Sequence, residues 1–175
     1  VPLWAQKSDA DLEALIMQNS QVGPQTIDLG SEATLQLPAG MTFIKKDVAN
    51  KIMEAYGNGS DPDRYGIIMG DEGWFADLNY VDSGHIKDDD AQQLKGDKIM
   101  KMMKDAEKEG NKSRRERGVP ELYLDGWAQE PSYDSTNHRL IWAVKVHSSN
   151  DPSPTINYSI IALGRKGMMG MTIVN

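Results

Sequence analysis

The last third of the sequence alternates. Leu140, Trp142, Val144 and Val146 occupy every second position, as do Ile156, Tyr158, Ile160 and Ala162. Successive side chains of a β-strand point to opposite faces, so each run carries one face that has to be covered. Asn137-His138 and Gly164-Arg165-Lys166-Gly167 are turn sequences short enough to join antiparallel neighbours, and residues 168–174 continue the pattern after the second turn. With a further strand at 122–127, an antiparallel sheet is expected from there to the end of the chain. Parallel pairing needs crossovers of a dozen residues or more, which these turns do not supply.

The upstream sequence supplies helices and shorter strands. Residues 8–17 read as a helix, with Ser8 as cap, Asp9, Asp11 and Glu13 near its positive end, and Leu12, Leu15 and Ile16 on one face. Gly23-Pro24 ends it. Residues 26–29 and 33–37 read as a hairpin about Gly30-Ser31-Glu32. A second helix is expected over 47–56, where Val48, Ile52 and Tyr56 fall at helical spacing, and strands over 65–69 and 74–81. A long helix is expected over 97–117, with Ile99, Met102, Met103 and Ala106 on its buried stripe and Gly118-Val119-Pro120 stopping it. Strands and helices do not alternate regularly. The class expected is therefore α+β: a mainly antiparallel sheet with one long and one or two shorter helices packed on it. The organisation expected is an N-terminal helical segment over 1–22 and a single α+β domain over 23–175.

Composition narrows the function. The net charge of −7 argues against a general nucleic-acid binder. The chain has no Cys, which removes disulfides, a thiol nucleophile and thiolate metal sites. No apolar run reaches the roughly 18 residues that a membrane-spanning helix needs. The abrupt ends, Val1-Pro2-Leu3-Trp4 and Met171-Thr172-Ile173-Val174-Asn175, read as those of a fragment of a longer protein.

Few residues carry chemical promise. Residues 61–90 hold nine acids against two bases, and Asp88, Asp89 and Asp90 are adjacent, with Asp82 and His85 nearby. Such oxygens could ligate a hard cation, but their spacing is not that of an EF-hand loop. The simpler reading is that these aspartates cap the helix that follows. Residues 91–117 carry nine bases against five acids with no interleaved aromatic residue, which describes a solvated helix face better than a nucleic-acid platform. His85, His138 and His147 are too widely spaced for a helical metal pair. Ser83, His85 and Asp88 have the residue types of a hydrolytic triad but share one short loop, whereas triads are held by separate elements. No metal and no cofactor is expected.

Several blocks together resemble a known family. They are Trp74-Phe75 through Tyr80, the stretch from Asp82 to Ala91, Asn111 through Pro120, Gly126-Trp127-Ala128 with Pro131-Ser132-Tyr133-Asp134, His138 through Ala143, Asn157-Tyr158, and Leu163 through Gly167. Collinear from about Pro24 to the end, they resemble a bacterial family of unknown function described as predicted membrane-anchored proteins. His85 departs from the pattern, since Tyr is more usual there, and the loop before Trp74 is short. The resemblance implies an extracytoplasmic domain, tethered to the membrane by a hydrophobic segment absent from this chain. It carries no activity and no catalytic residues.

The function expected is therefore a non-enzymatic binding or scaffolding domain of a bacterial envelope protein, whose partner is another envelope protein or a small ligand. Its surface is expected at Asp82, Ser83, His85, Lys87, Asp88, Asp89 and Asp90, with the exposed strand edges and with Tyr123, Trp127 and Tyr133 as an aromatic patch. A carboxylate-dependent hydrolase built on Asp82 and Asp88 to Asp90, and a divalent-cation sensor built on the same acids, are the alternatives.

Overall fold

The computed structural model of the chain describes residues 3–89, 91 and 95–175, with side chains from residue 10 onward. Three helices and ten strands occupy them, and every strand pairing described is antiparallel. They form two compact units, Val1–Asn79 and Tyr80–Asn175.

The first unit holds α1 (Leu3–Asn19), β1 (Ser20–Val22), β2 (Gln25–Leu29), β3 (Ala33–Leu37), β4 (Thr42–Lys45), α2 (Lys46–Ala55), β5 (Arg64–Met69) and most of β6 (Phe75–Val81). β2 and β3 make a separate hairpin, with Ile27 opposite Leu35. The remaining strands run in the order β1-β4-β5-β6. α2 places Val48, Ala49, Ile52 and Met53 on one stripe and buries them with Ile44 and Ile67, while Leu12, Leu15 and Ile16 of α1 pack on the same cluster. Arg64 enters β5 at a register shift and is only 4% exposed. Asp77 on β6 receives it in two hydrogen bonds, from Nε at 2.7 Å and Nη2 at 2.8 Å. Its Nη1 donates to Asn50 Oδ1, and the same Asn50 side chain holds the loop before β5 through both the N–H and the carbonyl of Asp61. The bonds to Asp77 raise the Arg64 pKa against the opposing effect of burial.

The second unit holds α3 (Gly96–Arg117), β7 (Leu122–Asp134), β8 (Arg139–Ser148), β9 (Asp151–Leu163) and β10 (Met168–Val174), with strand order β10-β9-β8-β7. The three hairpins follow the alternation in the sequence. β7 is irregular: its register against β8 shifts three times between Leu124 and Ser132.

The expected α+β architecture, with helices laid over the sheet, is overturned. Strand makes up 45% and helix 27%, and the long helix is not a layer. Of α3 only Asn111 is buried, and Met102, expected on its buried stripe, is 71% exposed. α3 instead fastens itself by polar bonds to the outer strand. Asn111 Nδ2 donates to the Leu122 carbonyl at 2.7 Å, Asn111 Oδ1 accepts from the Leu122 N–H at 2.9 Å, and Glu107 Oε2 accepts from the Leu124 N–H at 2.6 Å. Side chains four apart on a helix share one face, and strand residues two apart share one edge, so the two spacings match. The backbone groups that β7 turns away from β8 are thereby occupied along Leu122 to Leu124, which blunts this part of the edge.

Candidate functional site

The loop between β6 and α3 has no helix or strand of its own over 82–88, yet it is held at two points. The Gly84 N–H donates to the Lys166 carbonyl at 2.9 Å, in the turn before β10. Further on, Asp88 Oδ2 accepts from the Tyr133 hydroxyl and lies 2.8 Å from His138 Nδ1. Tyr133 Oη and His138 Nδ1 are themselves 3.3 Å apart, so the three groups form a closed triangle. Tyr133 lies near the end of β7 and His138 just before β8, at φ 51 in the turn between them. That turn is organised by Asp134, whose carboxylate accepts the N–H groups of Thr136 and Asn137. The hairpin end is held by its own local bonds, and the loop is tied to it.

The electrostatics follow. The Tyr133 hydroxyl, and after it His138, hold the Asp88 carboxyl below the usual carboxylate range. Tyr133 is pushed up to about 12 by loss of solvation, then by its hydrogen bond to Asp88 and by that carboxylate's charge. Asp88 is thus an ionised acceptor already engaged by two partners. Asp82, Ser83, His85, Lys87 and Asp89 are exposed around it. Asp90 lies outside the described residues.

A second Tyr, Asp and His group stands at the other end of the β7–β8 pair. Tyr123 and His147 stack with ring centroids 5.2 Å apart, and Asp125 Oδ1 lies 2.9 Å from His147 Nδ1. Tyr123 faces His147 in register while Tyr133 faces Leu140. Ten strand residues separate the two tyrosines, roughly 30 Å at the usual rise. Trp127 is elsewhere again: its Nε1 lies 3.5 Å from where a Cβ on Gly96 would stand, at the start of α3. Of the expected surface residues, then, Asp88 and Tyr133 are brought into contact, Asp82 to Asp89 share one loop, and Tyr123 and Trp127 lie apart along β7.

Sequence reasoning missed His138 as a partner of Asp88, since fifty residues separate them. The available signal was the Asn137-His138 turn, which places His138 at a hairpin end close to Tyr133. The expectation that the aspartates cap the long helix is also corrected, because Lys95 occupies that cap and makes no side-chain cap bond. Among the described residues no three His, Asp or Glu side chains converge as metal ligands.

Each unit also has a concavity. In the first, a pocket of about 310 Å³ is walled by Met53, Tyr56, Met69, Trp74 and Phe75, with Asn58 as its polar side chain. In the second, a cavity of about 340 Å³ lies between α3 and the start of β7.

The prevalence of antiparallel strand over the chain and a loop tied down by its own carboxylate define a class: a mainly antiparallel β protein presenting an ordered polar loop. Within that class the chain belongs to the DUF2167 family, described as a protein of unknown function, whose profile matches residues 21–175. No curated protein and no solved structure matches it.

Proposed function

We propose that this domain is a non-enzymatic binding module of a bacterial envelope protein, and that it takes a protein partner on the loop 82–89. One observation carries the reading. The loop has no regular structure, is pinned at Gly84 and Asp88, and turns Asp82, Ser83, His85, Lys87 and Asp89 to solvent. An irregular segment fixed on a rigid hairpin, with its charged side chains unburied, is the usual form of a recognition loop. Preorganisation lowers the ordering entropy that binding would otherwise cost.

The same geometry weighs against a carboxylate hydrolase. That chemistry needs one carboxyl with a raised pKa and one with an ordinary pKa across a cleft. Asp88 has a lowered pKa and spends an oxygen on Tyr133 and His138. The resemblance to predicted membrane-anchored proteins supports a position on the extracytoplasmic side of a membrane, held there by a segment outside this chain.

The test is cross-linking of the full-length protein in its native membrane, comparing wild type with Asp82→Ala/His85→Ala/Lys87→Ala. The expected result is a reproducible protein adduct in wild type that disappears in the triple variant while circular dichroism stays unchanged. An adduct formed equally by both would overturn the assignment to this loop.

A further inference from the structure

The pocket of the first unit is walled by aromatic rings. Tyr56 is the residue that ends α2, Trp74 closes the turn before β6, and Phe75 opens that strand. All three line one concavity of about 310 Å³, with Met53 and Met69 beside them. Met53 is buried, whereas Tyr56 is 71% exposed. The volume lies at the lower end of the range for small-molecule pockets. No charged side chain is among the described residues that line it.

The charges around this lining are of one sign. Asp71 and Glu72 stand between two of its residues, Gly70 and Gly73, and both are exposed. The last turn of α2, which leads into Tyr56, carries Glu54. That end of a helix favours a cation, so an acid there adds to the negative potential instead of offsetting it. The wider balance agrees. Residues 1–79 carry twelve acids against five bases, and residues 80–175 carry fourteen of each. The charge surplus of the chain therefore belongs to the unit that holds the pocket.

We infer that this pocket binds a quaternary ammonium group. Such a cation spreads its charge over methyl groups, which suit an apolar wall, and it is drawn to aromatic rings and to the acids of the turn. A primary ammonium would give up its hydration to a lining whose polar side chain is Asn58 alone among the described residues. An anion would be repelled, and a neutral apolar molecule would gain nothing from the charge. The site lies wholly in the first unit and does not involve the loop 82–89.

Choline and 3,3-dimethyl-1-butanol form a matched pair of probes, alike in shape and differing in the charge. Each is titrated into the protein at constant ionic strength while the Trp74 indole N–H is followed by nuclear magnetic resonance. The expected result is saturable shifts, with choline binding about tenfold tighter than the alcohol, as attraction of one charge to aromatic rings allows. Tyr56→Leu keeps apolar bulk at an exposed position and removes a ring, and the preference should fall about threefold. Asp71→Asn/Glu72→Gln should weaken choline about twofold or more and leave the alcohol unchanged. Sedimentation with phosphatidylcholine vesicles separates two sources of the group. Co-sedimentation that choline reverses assigns it to a lipid headgroup, and choline binding without co-sedimentation assigns it to a free solute. Equal affinities in wild type, a preference unchanged in both variants, or no saturable shift with choline would each overturn the inference.

Discussion

Asn111 holds Leu122 at both ends of its backbone: Nδ2 donates to the carbonyl and Oδ1 accepts from the amide, at 2.7 Å and 2.9 Å. The amide side chain imitates a neighbouring strand for one residue, and α3 stays beside the sheet because of it. Asn111→Leu removes both bonds and leaves the Leu122 peptide groups to find water. The expected loss is about 2–3 kcal/mol, from two ordinary bonds and a partly buried donor and acceptor. Urea denaturation with an unchanged m-value measures it; a change below about 0.5 kcal/mol would show that α3 is held by other contacts.

In the first unit, Arg64 and Asp77 make a paired, two-bond contact with Arg64 almost fully buried. Asp77→Ala leaves that guanidinium charged, buried and without its hydrogen-bonded carboxylate. The expected cost is about 3–5 kcal/mol. Replacing both partners together, Arg64→Met with Asp77→Leu, should recover most of the loss, because no unpaired charge remains. Equal destabilisation by the single and double variants would contradict the account.

The triangle of Asp88, Tyr133 and His138 has two pH signatures. The Tyr133 pKa is raised, so the folded state favours the neutral phenol. Its contribution is complete below the free phenol value of about 10. It is lost as pH rises through about 12. Tyr65 and Tyr123 are also raised, so phenolate absorbance should show Tyr133 as the last of the six tyrosines to titrate, and Asp88→Asn should bring it earlier. A late tyrosine that ignores Asp88→Asn would place the cause elsewhere.

The Asp88 pKa is lowered, and the sign reverses. Its contribution is present above the ordinary carboxylate value of about 3.9. It is lost as pH falls through the lowered folded value. Protection of the loop 82–89 against hydrogen exchange, taken relative to the intrinsic rate at each pH, should hold through neutral and mildly acidic pH and fall only below that point. In Asp88→Asn the loop should exchange faster at every pH. Protection indifferent to that substitution would mean that Gly84 alone holds the loop.

How much of this was legible follows from the range of each interaction. Strand alternation is local, so the runs through Val144, Tyr158 and Met171 announced their hairpins. β1 and β4 were not anticipated, because three or four residues such as Thr42 to Lys45 carry too little periodicity to separate them from loops. The stripe of Ile99, Met102, Met103 and Ala106 gave the helix itself, but periodicity does not say which face is used. α3 is fixed by Glu107 and Asn111, polar residues that a search for an apolar stripe passes over. At the site, Asp88 and Tyr133 were singled out separately. Their contact, with His138 as third member, depends on bringing residue 88 to a hairpin end, which no spacing encodes.

Trp74 and Gly70 show the same dependence on packing in the first unit. The Gly70 N–H donates to the Trp74 carbonyl at 3.1 Å, and the indole folds back over the glycine to wall the pocket beside Met53 and Met69. A Cβ on Gly70 would stand 2.2 Å from Trp74 Cε2, and the backbone there is not left-handed, so space alone requires the glycine. Gly70→Ala should push the indole out into solvent at a cost of about 1–3 kcal/mol. Tryptophan emission should shift to the red, and the shift should be absent when the same substitution is made in a Trp74→Phe background. An unshifted spectrum would mean that the turn yields instead of the ring, and the pocket wall would then be soft rather than built.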